Sequence, residues 1–115
     1  MVKSWDLVET ITISWAWSSY SIPFLRDTVI MIQRDAESLD YRILIDGNAI
    51  FETNQNAKRI LNSILEYYTE ITSELSAKIF VIIKNDKDKG AVINNISNFS
   101  IIKTTKHFIT LGLNV

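Results

Sequence analysis

The chain contains no cysteine, which removes disulfides, thiolate nucleophiles and Cys-ligated zinc together. It is unlike a small secreted domain held by covalent staples, and a reducing cytoplasm is the expected setting. Histidine occurs once, at His107. A triad or a His-ligated metal site needs further partners, and a lone His among Thr, Lys and Phe reads as structural. The three glycines, at 47, 90 and 112, do not open a helix after a strand. Dinucleotide-binding and P-loop motifs are therefore missing. No apolar run approaches the roughly eighteen residues of a membrane span. Lys3, Asp6 and Glu9 interrupt any signal-peptide core. Two sequons, at Asn95 and Asn98, carry no meaning without secretion. A formal charge of −1 and a pI near 5.8 give no global basic field, so no nucleic-acid partner is expected.

The composition that remains fits a compact protein. The 115 residues are 47% hydrophobic and 22% charged, which predicts a single globular domain over 1–115. Isoleucine appears 19 times against 4 arginines, a bias typical of AT-rich coding sequence and of a bacterial or mobile-element source.

The stretch 54–76 predicts one long amphipathic helix. Ala57, Ile60, Leu61, Ile64, Leu65, Tyr68, Ile71 and Leu75 recur at spacings of three and four and form one stripe. Thr53 or Asn54 supplies an N-cap oxygen, and neither Gly nor Pro occurs between there and Ser76. Ile64 and Leu65 are expected at the centre of the buried face.

Strand patterns flank the helix. Trp5 to Trp17 alternates, with Trp5, Leu7, Ile11, Ile13, Trp15 and Trp17 on one side and Glu9 as the charged exception, a sign of an edge or bulge. Residues 18–23 read as a polar turn. A second strand ends at Arg34, a polar loop covers 35–40, and 41–45 is the third strand. Asp46-Gly47-Asn48 reads as a hairpin turn leading to a strand over 49–53. Residues 78–84 are apolar on both faces, the mark of a central strand. Val92, Ile93, Ile96 and Phe99 fit a short second helix over 91–99, against which the Asn and Ser content argues. A hairpin over 100–113 turns near Lys103–Lys106. The fold class is α+β: a mostly antiparallel sheet of five to seven strands on one long helix.

Candidate sites are surfaces rather than motifs. Residues 85–96 fail as a calcium loop, because Lys87 and Lys89 stand where carboxylates are needed and Ile96 where a bidentate Glu belongs. Asp27, Asp35, Asp40 and Asp46 all sit beside turns, and nothing in the pattern marks them as buried. Glu66, Glu70 and Glu74 recur every four residues opposite the apolar stripe. Like charges at that spacing weaken a helix by roughly 0.2–0.5 kcal/mol per pair, and they crowd the end where the dipole favours cations. The ridge is either a solvated face or a surface kept for a basic partner. Trp15, Trp17 and Tyr20 among serines have the composition of a recognition loop, with Trp17 and Tyr20 as candidate contacts, or else Trp15 and Trp17 belong to the inner face of strand one.

No catalytic, cofactor or metal motif emerges. In size, acidity and lack of chemistry, the chain is similar to small bacterial or phage proteins that block another protein, such as immunity proteins of contact-dependent toxins. No motif carries that likeness. It implies a non-enzymatic antagonist of a basic, nuclease-like toxin, with Glu66, Glu70, Glu74, Trp17 and Tyr20 as its contacts and no cofactor. The alternative is a small-ligand binding domain, or a cofactor-free enzyme, with a pocket between helix and sheet walled by the Trp/Tyr cluster. A nucleic-acid binder using Lys103, Lys106 and Phe108 ranks below both.

Overall fold

The computed structural model describes residues 3–19, 22–46, 55–84 and 96–114, with side chains from 3–13, 28–46, 58–84 and 96–114. The elements run β1 (Trp5–Ser19), β2 (Ile22–Asp35), β3 (Tyr41–Asp46), α1 (Gln55–Glu74), β4 (Ile79–Lys84), β5 (Phe99–Thr104) and β6 (Phe108–Leu113). They form a six-stranded sheet in the order β1-β2-β3-β4-β6-β5. Four pairings are antiparallel, and β3 with β4 is the parallel one, which α1 connects as a crossover. The fold is mixed α+β, as the hydrophobic periods imply.

Alternation sorts the sheet into two faces. Tyr41, Ile43 and Ile45 of β3, and Ile79, Val81 and Ile83 of β4, are buried, while the residues between them are half-buried. Ile30 and Ile32 of β2 and Ile109 and Leu111 of β6 pair onto that same buried face. Leu61, Leu65 and Tyr68 of α1 close over it, with Ile64 and Ile71 packed at the margin. Ile60 and Leu75, expected in the stripe, are exposed, and Thr72 is buried in their stead. Its hydroxyl is satisfied by the Tyr68 carbonyl, which lets a polar residue face the core.

The helix ends in a Schellman motif. Ser76 (φ 52°) donates its N–H to the Ser73 carbonyl, and Ala77 donates to that of Thr72. The expected N-cap at 53 or 54 lies outside the described residues, as do the turn at 47–48, the strand over 49–53 and the loop 85–90.

Three further expectations are corrected. First, β1 does not keep one face along its length. A bulge between Leu7 and Glu9 shifts its register on β2, so Glu9 pairs with Ile32 and Leu7 with Gln33. A one-residue slip exchanges the faces. Ile11 and Ile13 therefore point to the core, whereas Trp5 and Leu7 lie on the opposite face. Second, the polar turn over 18–23 is narrower than expected: β1 runs through Ser19, β2 starts at Ile22, and Pro23 pairs with Ser18. That part of β2 lies beyond the described end of β3, so among the described residues proline has a neighbour strand on the β1 side alone. Third, the second helix is not formed where 91–99 is described. Ser97 and Asn98 form a turn with Asn98 at φ 69°, and Phe99 starts β5; residues 91–95 lie outside the described set.

Candidate functional site

The expected acidic ridge is exposed. Leu61, Leu65 and Tyr68 anchor α1 to the sheet, which turns Glu66, Glu70 and Glu74 outward. Among the described residues none of the three forms an ion pair. Tyr67 stands beside them at 60% exposure, its ring edge-on to buried Tyr68 at 5.1 Å between centroids. Glu66 also borders a cleft of about 300 Å³ between α1 and the turn at Ser97 and Asn98. Lys58 and Arg59 line a hollow on the other side of Glu66 without pairing to it. The helix has no acid in its first turn and no base in its last, so its charges oppose the macrodipole.

Of the other candidates, Trp17 lies in β1 opposite Phe24 in register, but its side chain is outside the described set, as is Tyr20 altogether. His107, Lys103 and Lys106 are exposed around the β5–β6 turn. Among the described residues no group of His, Cys, Asp or Glu is placed to hold a metal ion, and no helix is long and apolar enough to cross a membrane.

Asp35 and Asp40 are buried, which nothing in the sequence pattern marked. Asp35 accepts hydrogen bonds from the hydroxyl and backbone N–H of Ser38 and from the N–H of Ser4. The Ser38 hydroxyl, first among these, holds its pKa below 3.8. Asp40 accepts from the Lys3 ammonium and from the N–H of Lys78 at 2.9 Å. Burial pushes its pKa up, but the Lys3 and Lys78 contacts outweigh this and hold it below 3.8. The two carboxylates tie the chain start, the β2–β3 turn (Leu39 at φ 62°) and the head of β4 together. All their bonds are structural, which accounts for both acids without chemistry. Tyr68 is held by a third such tie: its hydroxyl donates to Glu9, and burial raises its pKa.

Sequence pattern alone did not reveal a second surface. The sheet face away from α1 carries Val29, Met31, Leu44, Phe80 and Ile82, all half-buried, with Phe108 more exposed. Two adjoining hollows cross it, of about 270 and 390 Å³, sharing Leu44, Ile82 and Phe108. Lys84 and Asp46 border the first, and Arg42 and Lys103 the second. Arg42 donates through Nε to Gln33, and its guanidinium lies 4.6 Å from the Trp5 ring centroid. The signal was the run Ile79–Ile83, apolar on both faces, while the one helix among the described residues covers a single face.

A further hollow of about 390 Å³ opens between the end of α1 and the sheet, lined by Thr72, Ile79, Phe80 and Leu113 among others. No family model, no curated protein and no solved structure matches the chain.

Proposed function

We propose that the protein is a non-enzymatic, protein-binding antagonist of the immunity or antitoxin type, which neutralises a basic, nuclease-like toxin in a bacterial cytoplasm. The observation that carries this reading is the ridge of Glu66, Glu70 and Glu74. Three carboxylates stand exposed and without ion pairs among the described residues, beside exposed Tyr67, on a helix whose stability they do not serve. Toxins that attack nucleic acids have basic clefts. A carboxylate ridge fills such a cleft, and its field speeds encounter. Tyr67 adds contact area at low entropic cost.

The test is a triple variant, Glu66→Lys with Glu70→Lys and Glu74→Lys, alongside the neutral triple Gln variant. Exposed charges contribute little to stability, so both variants melt close to wild type. Wild-type protein captures its partner from the native lysate. The Gln variant associates more slowly at low salt, and the Lys variant does not bind. Full affinity in the Lys variant refutes the reading.

The hollow between α1 and β4 favours a second reading, a small-ligand binding domain or cofactor-free enzyme, since apolar walls with a few hydroxyls suit a small ligand. A metabolite that raises the melting temperature in a thermal-shift screen would support it.

A further inference from the structure

The sheet face opposite α1 has the composition of a covered surface and lacks a cover among the described residues. Phe80 and Ile82 of β4, Leu44 of β3 and Met31 of β2 all project there. Strands apolar on both faces belong to sheets covered on both. The two hollows share their floor, so they form one trough across β2, β3, β4 and β6 toward β5. At about 4.8 Å per strand spacing, the trough is roughly 19 Å long.

Charge selects the occupant. Arg42, Lys84 and Lys103 border the trough, with Asp46 as the one acid among its described lining residues. Arg42 spends its Nε on Gln33, and its terminal NH₂ groups have no protein acceptor among the described residues. A guanidinium in that state is a fork for a carboxylate. Two copies stacked through this face would set these cations against each other, which argues against self-association. A peptide strand adds at a sheet edge and would leave the trough empty, whereas a helix lays apolar anchors into a groove. About twelve residues of helix span the trough.

We infer that this face is a second docking surface, which takes an acidic amphipathic helix from a partner protein. The apolar stripe of that helix lies over Leu44, Ile82 and Phe108, and its carboxylates meet Arg42, Lys84 and Lys103. This surface is separate from the acidic ridge and does not depend on it.

A phage-displayed library of amphipathic helices, with the positions beside the apolar stripe randomised over Glu, Lys and Ser, tests the inference against the full chain. Glu should be enriched at those positions. A selected peptide should bind at least about tenfold more tightly than its Glu→Lys counterpart. Lys84→Glu with Lys103→Glu should reverse that preference, and Phe108→Asp should abolish binding. Should Phe108→Asp fail to fold, Thr110→Asp, which lines the same trough beside Ile82, replaces it. The ridge triple variant should bind the peptide as wild type does, so failure here is distinct from failure of the proposed function. Absence of Glu enrichment, or unchanged binding to the Asp variant, overturns the inference. So does sedimentation of the wild type as a dimer that Phe108→Asp dissociates, because a second copy would then be the cover.

Discussion

Two apolar residues of α1, Leu65 and Ile60, separate burial from hydrophobic pattern. Leu65 is 3% exposed at the centre of the helix–sheet interface, whereas Ile60 is 41% exposed on the same helix. Leu65→Ala removes three carbons from a site walled by β-branched residues of the sheet. Transfer alone is about 0.8 kcal/mol per carbon, so about 2.4 kcal/mol. The cavity left behind adds to this, because α1 is anchored on both sides of the gap by Leu61 and Tyr68 and cannot settle fully. The expected total is about 3–4 kcal/mol, within the range measured for buried leucines. Ile60→Ala, by contrast, should cost about 1 kcal/mol or less. Urea unfolding followed by far-UV circular dichroism reads both. With a slope of about 1.5 kcal/mol per molar, Leu65→Ala should lower the midpoint by about 2 M and Ile60→Ala by less than about 0.7 M. A domain holds roughly 5–15 kcal/mol, so Leu65→Ala stays foldable at low temperature. Equal losses at the two positions, or a cost under about 1 kcal/mol at Leu65, would refute the placement of the helix.

Acid should destabilise the protein through Asp35 and Asp40. Both carboxyls sit below the usual value of 3.8 when folded, so on acidification the unfolded chain takes up protons first. Their stabilisation is whole above about pH 5 and drains as pH falls below that value toward the folded ones. Thermal melts of Asp35→Asn and Asp40→Asn should show a flatter loss of melting temperature in that window than wild type. Tyr68→Phe removes the hydroxyl donor to partly solvated Glu9 and should cost about 1 kcal/mol. In a double-mutant cycle with Glu9→Gln, the coupling should be at least about 0.5 kcal/mol, and a null coupling would mean the bond contributes nothing. Ser76 holds a left-handed conformation that a Cβ disfavours. Ser76→Gly should therefore stabilise by about 0.5–1 kcal/mol in the same unfolding assay, and a loss would show that the serine has another role.

The helix was legible because its apolar residues keep a period of 3.6, and β4 because a short run apolar on both faces reads as a central strand. Exposure within the helix stripe was less legible. Ile60 and Leu75 satisfy the spacing, yet Leu61, Leu65, Tyr68 and Thr72 define the line of closest approach. Spacing fixes a face about a third of a turn wide, and only tertiary docking chooses its centre. The bulge in β1 was legible only as a symptom, the misplaced Glu9. Alternation read across a bulge assigns every residue before it to the wrong face, as happened with Trp5 and Leu7. Burial of Asp35 and Asp40 was invisible because their partners Ser4, Lys3 and Lys78 come from distant segments that converge at one end of the sheet. The ridge was legible, since Glu66, Glu70 and Glu74 repeat within one element. The open sheet face was not, because it gathers one or two residues from each of several strands.

The ridge and the open face lie on opposite sides of the molecule, since α1 turns its carboxylates away from the sheet and the trough is on the sheet's far side. They also carry opposite charge, with three exposed glutamates on one and Arg42, Lys84 and Lys103 around the other. The formal charge of −1 for the chain therefore hides two described surfaces of opposite sign. Such a molecule orients in the field of a charged partner before contact, and only one side is presented to a basic surface. The two surfaces should then differ in kinetics. The ridge is solvated and largely polar, so charge reversal there acts on association and fades with salt. The trough is apolar at its floor, so truncating Phe108 acts on dissociation and persists at high salt. Measuring both rate constants for a ridge variant and a trough variant at two salt concentrations distinguishes one surface in use from two. If a single partner engaged both, it would have to wrap the sheet, and the two variants would fail to add.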